Sequence, residues 1–173
     1  VGGERVPEGA ALLCGNHSTL GDPLYVVCCL GWRRQVRVMA KEEVMKWPIL
    51  GFLLRKAGIF GVKRGKADVG ALKEAMRILR GGEKLLMFPQ GTRVKDGEDS
   101  EARTGAAMFA TRTGAPIVPI YIPTKKRRFR RTTIVFGEPY HPEFEGRKPT
   151  PEDYQRIADD LMERVRALEE QAA

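Results

Sequence analysis

The chain predicts an α/β fold, a mostly parallel or mixed sheet covered by helices. Short apolar runs alternate with amphipathic ones along 173 residues. Several of the short runs are almost continuously apolar, as in strands covered on both faces. The segments between them carry hydrophobic residues at helical spacing. At about 100–200 residues per domain the length predicts one domain, 1–173. With 42% hydrophobic and 30% charged residues, the composition is that of a globular protein able to bury its own core rather than a disordered one.

Taken in order, 10–15 reads as the first strand, and Pro23 opens a helix over 23–30. Strands follow at 36–40 and 59–62, with a helix around 47–56 between them. The clearest amphipathic pattern is 68–80. There Val69, Leu72, Ala75, Met76 and Leu79 form one stripe, Asp68 can cap the start, and Gly81-Gly82 ends the helix. A strand at 84–88 precedes a polar stretch, 95–100, which is the most loop-like segment, and then a helix over 101–113. Strands at 116–122 and 132–137 follow. The last helix, 151–170, has Thr150 as cap, Pro151 at its first position and a stripe of Tyr154, Ile157, Leu161, Val165 and Leu168.

Thirty Lys and Arg against twenty-two Asp and Glu give a net charge of +8, which points to an anionic partner. Residues 150–173 hold seven acids and three bases, a local −4. Residues 1–149 hold 27 bases and 15 acids, or +12, so an anion-facing surface belongs to the body of the domain. Cys14, Cys28 and Cys29 all lie in apolar runs without CxxC spacing, which predicts reduced thiols packed in the core. The longest apolar run, 24–30, is far short of the ~18–20 residues needed to span a bilayer, and no signal peptide is evident.

Few residues are suited to catalysis. There are two histidines, His17 and His141, and two serines, Ser18 and Ser100. The GxSxG elbow of serine hydrolases is absent, no His/Cys cluster suggests zinc, and the glycines of 61–66 are one residue too close for a phosphate loop. His17 follows the first apolar run in the segment NHSTLGDP. On a regular helix His17 and Asp22 would stand about 140° apart. With Gly21 to bend the chain and Pro23 to start a helix, Asp22 can instead fold back onto His17. A carboxylate on one imidazole nitrogen fixes the tautomer and leaves the other nitrogen to take a proton from a hydroxyl. The alternative is that Asp22 merely caps the next helix. Two further strand ends, Gly58 to Gly65 and Phe88 to Arg93, place cations beside glycines, an arrangement suited to a phosphate.

These segments together resemble the PlsC-type glycerolipid acyltransferases, best known as 1-acylglycerol-3-phosphate acyltransferases. His17 through Asp22 matches the family's HxxxxD block, and Asn16 its longer form, NHxxxxD. Gly58, Phe60 and Arg64 match GxFxxxR. Phe88 to Arg93 matches FPEGTR except that Gln90 replaces Glu, and 115–120 (APIVPI) matches the fourth block. The blocks span about 10–122. The resemblance implies that His17 is the general base and that Asp22 orients it. Asn16, Phe60, Lys63, Arg64, Gln90, Gly91, Thr92, Arg93 and Pro119 are implied to form the substrate site, the cations holding a lysophospholipid phosphate and Pro119 shaping a wall. The implied reaction transfers an acyl group from acyl-CoA or acyl carrier protein to the hydroxyl of lysophosphatidic acid, with no cofactor, no metal and no acyl-enzyme; the alternatives are another lysophospholipid or glycerol phosphate as acceptor, or a weakly active module that binds anionic lipid. Gln90 keeps the size and acceptor oxygen of glutamate but loses the charge.

The basic run 125–131 directly follows the fourth block. It suits an anionic headgroup or an acidic carrier protein better than nucleic acid, which is set aside as a partner; a solvated loop is the plain alternative. The apolar run 47–54 reads as core, with a membrane-surface helix or acyl site as the other possibility. The expected location is the cytoplasmic face of the cell membrane, peripheral or monotopic.

Overall fold

The structure is a computed structural model that describes residues 1–31, 35–46, 48, 52, 58–62, 69–89, 104–124 and 132–172. Its six strands are β1 (Ala11–Gly15), β2 (Val36–Lys41), β3 (Ile59–Val62), β4 (Lys84–Met87), β5 (Ile117–Tyr121) and β6 (Val135–Phe136). Its helices are α1 (Asp22–Leu30), α2 (Glu42–Met45), α3 (Val69–Arg80), α4 (Thr104–Thr113) and α5 (Pro151–Ala167), with 3-10 turns at Gly3–Arg5 and Glu169–Ala172. The strands form one sheet in the order β3-β2-β4-β1-β5-β6, parallel except for the antiparallel β5–β6 pair.

Strand parity divides the core in two. Leu12, Cys14, Leu85, Met87, Ile117 and Tyr121 face α3, α4 and α5, meeting Ala75, Leu79, Phe109, Ile157 and Leu161. Ala11, Leu13, Leu86, Val118 and Ile120 face the other way and pack with Val26 and Leu30 of α1. Strands β1, β4 and β5 are buried at every position, which is why their sequences read as almost continuous apolar runs, Lys84 being the exception, its ammonium donating to Glu8 O at 2.6 Å.

The helix that follows β1, α1, therefore packs on one face of the sheet, and the next described helix after neighbouring β4, α4, packs on the other. Adjacent strands whose connections diverge in this way open a crevice at their carboxyl ends, the usual ligand position in open α/β sheets. Both His17 and the Phe88 to Arg93 segment start from that edge.

The expected strands all form, though β6 is limited to two residues. Pro119 has no N–H, and it extends that side only through its carbonyl, which accepts from Gly137 N–H at 2.8 Å. The last helix has the expected Pro151 and a full capping box between Thr150 and Asp153. In α3 the buried residues are Ala71, Ala75, Ile78 and Leu79, whereas Val69 is exposed, so the helix is rotated slightly from the stripe expected of it. The expectation that all three cysteines are core residues fails for two. Cys14 is buried, and burial pushes its thiol pKa up. Cys28 and Cys29 are exposed because the inward stripe of α1 is Asp22, Val26 and Leu30, and positions 28 and 29 fall off it. The cap assigned to Asp68, the loop at 95–100 and the basic run 125–131 lie outside the described residues, as does most of the helix around 47–56. Among the described residues no helix is long and apolar enough to cross a membrane.

Candidate active site

β1 ends at Gly15, and the next six residues turn the chain off the sheet and into α1. Leaving the ladder frees backbone groups just past the end of β5, and Asn16 satisfies them with its side chain. Its Nδ2 donates to Ile122 O at 2.7 Å, and its Oδ1 accepts from Ile122 N–H at 2.8 Å. The carboxamide thus stands in for one further rung of the sheet.

A turn closed by Asp22 N–H donating to Thr19 O at 3.1 Å then brings Asp22 back toward His17. The Asp22 side chain is fully buried. Its Oδ2 accepts from His17 Nδ1 at 3.0 Å, Ser18 N–H at 2.7 Å and Thr19 N–H at 2.8 Å, and its Oδ1 accepts from the Thr19 hydroxyl at 2.6 Å. The N-cap of α1 is Gly21, with no side-chain cap. Of the two readings open from spacing, the structure adopts the one in which Asp22 folds back. The carboxylate also sits in the first turn of α1, where the helix dipole favours negative charge.

His17 retains 13% of its side-chain exposure, and its ring stacks on Phe88 with centroids 4.3 Å apart and planes 17° from parallel. With Nδ1 donating to a carboxylate, Nε2 is the nitrogen left to accept a proton. Among the described residues Nε2 makes no hydrogen bond. This geometry can run general-base chemistry on a hydroxyl brought to the sheet edge. Among the described residues no three His, Cys, Asp or Glu side chains are placed to hold a metal ion.

The other residues expected at the site divide three ways. Lys63, Arg64, Gln90, Gly91, Thr92 and Arg93 lie outside the described residues; the first pair follows β3 and the rest follow Phe88-Pro89, so both segments start from the carboxyl edge that carries His17. Asn16, expected to bind substrate, precedes His17 in the loop, and each end of its amide bonds Ile122, so that the side chain supports the loop. Phe60 and Pro119 stand elsewhere. Phe60, on edge strand β3, packs against the α3–α5 side of the core, with β2 and β4 between it and β1, about 14 Å across the sheet. Pro119 carries its ring against Gly137, beside Leu168. The Gly58 of the second block has φ 78°, a left-handed conformation that explains glycine there, and the Arg37 side chain lies across it.

Three contributors were not expected from sequence: the Ser18 and Thr19 donors to Asp22, and the Phe88 ring. The first two carry a local signal, since Ser-Thr followed closely by Gly-Asp is composition that makes side-chain to backbone turns. The Asn16 clamp also makes a prediction. N16A leaves the Ile122 N–H and C=O without partners and lowers stability by about 1–3 kcal/mol in chemical denaturation. It also lowers kcat more than it raises KM, because the loop that carries His17 loses its anchor.

An imidazole held by a buried carboxylate at the carboxyl edge of an α/β sheet has the geometry of a site built around a base. The chain belongs to the acyltransferase family, whose model matches residues 1–123. It is 32% identical over 121 residues to a chloroplast 1-acyl-sn-glycerol-3-phosphate acyltransferase of Arabidopsis thaliana, covering 68% of this chain and 33% of that protein. It is 32% identical over 124 residues to a lyso-ornithine lipid O-acyltransferase of Pseudomonas aeruginosa, covering 70% of this chain and 46% of that one. The crystal structure of PlsC, the 1-acyl-sn-glycerophosphate acyltransferase of Thermotoga maritima, superimposes with a TM-score of 0.68 at 26% identity, covering 98% of this chain and 70% of that one. The chain thus spans about a third to a half of the length of these two curated relatives.

Proposed function

We propose that the chain transfers a fatty acyl group from acyl-CoA or acyl carrier protein to the free hydroxyl of lysophosphatidic acid, giving phosphatidic acid. The observation that carries this reading is the His17–Asp22 pair, with Nδ1 bonded to a buried carboxylate and Nε2 left open, in a chain of the acyltransferase family. Nε2 takes the hydroxyl proton, and the oxygen attacks the thioester carbonyl. The carbon–oxygen bond forms, the carbon–sulfur bond breaks, and the proton passes from His17 to the departing sulfur. Asp22 keeps the tautomer and stabilises the imidazolium formed on the way. Lys63, Arg64 and Arg93, with the backbone around Gly91 and Thr92, bind the phosphate. A phosphomonoester needs such charge-assisted donors. Gln90 serves as a neutral hydrogen-bonding partner in the same segment.

The acceptor is a membrane lipid, so the domain works at an anionic bilayer surface on the cytoplasmic side. The +12 balance of residues 1–149 favours that surface. Leu20 and Leu24, 63% and 65% exposed directly beyond His17, offer apolar contact with it. A second reading keeps the chemistry and changes the acceptor to another lysolipid, favoured by the similarity to an enzyme named for lyso-ornithine lipid. One substrate panel tests both. Purified protein is given acyl-CoA or acyl carrier protein with lysophosphatidic acid, other lysophospholipids, glycerol phosphate or lyso-ornithine lipid, and ester product is measured by mass spectrometry. Product with lysophosphatidic acid at the highest kcat/KM is expected. A preference for an acceptor without phosphate would select the second reading, and no product with any acceptor would overturn both.

A further inference from the structure

We propose that Phe88 is a positioning residue for His17, fixing the plane of the imidazole so that Nε2 is presented in one direction; this rests on the reading of His17 as the general base. The bond from Nδ1 to Asp22 holds the imidazole at one atom, and a single hydrogen bond tolerates a wide swing of the ring about that point. The Phe88 stack, at 4.3 Å and 17°, supplies the second constraint. It covers one face of the imidazole and leaves the edge bearing Nε2 uncovered.

Phe88 is itself held by three features. The β1–β4 register sets Cys14 opposite Met87, so Phe88 stands opposite Gly15, two residues before His17. Pro89 follows it and restricts Phe88 to extended backbone, which carries the alternation of β4 one residue past its end. That parity turns the ring to the α1 side of the sheet, where it packs against the core cluster of Leu13, Val26, Leu86 and Val118. A ring anchored in the core is a rigid platform for the base. The same residue opens the segment that continues to Gln90 and Arg93, so the stack ties the base to the first residues of the chain proposed to hold the phosphate.

The test compares F88L and F88M, which fill the volume without a flat face, with F88Y and F88W, which restore one. The expected result is a kcat about tenfold lower in F88L and F88M, with KM within about twofold, since a small misplacement of a catalytic group is felt in the rate. F88Y and F88W recover most of that loss. A second readout is independent of activity. The chain has only two histidines, and His141 is exposed, so the ring C–H signals of His17 are assigned by NMR with H141Q. In wild type and F88Y they lie upfield of the His141 signals because of the Phe88 ring current, and in F88L they move toward them. Unshifted His17 signals in the wild type, or a folded F88L or F88M with wild-type kcat, would overturn the positioning role alone. A wild-type protein that forms no ester with any acceptor overturns the reading of the base, and the positioning role falls with it whatever the spectra show.

Discussion

H17A lowers the rate of ester formation about 10³-fold while leaving a folded protein with substrate KM close to that of the wild type. The size follows from removing a general base whose contribution is about 10²–10⁴-fold. The fold persists because Asp22 keeps the Ser18 and Thr19 N–H donors and the Thr19 hydroxyl when the imidazole is gone. No other described group within reach of this loop can take over the proton. Ser18 and Thr19 both bond Asp22, and Cys14 is buried with its thiol pushed to higher pKa. Turnover is measured as ester product by mass spectrometry, because the exposed Cys28 and Cys29 would contribute to a free-thiol assay. A variant turning over at more than a tenth of the wild-type rate would remove His17 from the mechanism.

Replacing Asp22 separates charge from shape. In D22N the amide oxygen takes the place of Oδ2 and keeps the donors from His17, Ser18 and Thr19, while the amide N–H₂ faces the Thr19 oxygen, which can accept as well as donate. The loop keeps its shape and the imidazole its tautomer, so stability falls by no more than about 1 kcal/mol. What is lost is the negative charge that stabilises the imidazolium, and kcat is expected to fall about 10²-fold. D22A removes the acceptor as well. Two backbone N–H groups and a hydroxyl then face a buried gap, and the protein loses about 3–4 kcal/mol. Chemical denaturation with parallel kinetics distinguishes the two variants. If D22N keeps wild-type kcat, the charge plays no part in the reaction; if D22N is as unstable as D22A, the amide does not fit as described.

Both predictions concern residues that spacing brings into view but cannot pair. His17 and Asp22 are separated by a short loop, and their chemistry is legible from Gly21, Pro23 and the residue types alone. Whether the carboxylate bonds the imidazole or caps α1 depends on where the Ser18 and Thr19 N–H groups point, and spacing does not contain that. Leu20 and Leu24 present the converse case. Their apolar character suggests interior positions, and only the seating of α1 on Val26 and Leu30 leaves them outside.

By itself the sequence determined the strands, the longer helices among the described residues, and His17 as the candidate base; the short α2, Glu42–Met45, carries no periodic pattern that marks it. Runs 10–15, 84–88 and 116–122 are almost continuously apolar because the strands within them are buried on both faces, and Thr150 with Pro151 marks a helix start through local hydrogen bonding. Such properties are set by neighbours a few residues apart. Tertiary structure alone decided what surrounds His17. The order β3-β2-β4-β1-β5-β6 inserts β4 beside β1 and so delivers Phe88 to His17. It sets β5 on the other side, so that Asn16 clamps Ile122 across 106 positions in the chain. The same order separates Phe60 from β1 by two strands, and strand parity turns Pro119 to the face opposite Phe88, although both residues lie in the motifs that first suggested the site. The physical reason is that strand order and parity are settled by packing the two faces of the whole sheet, which no short segment encodes.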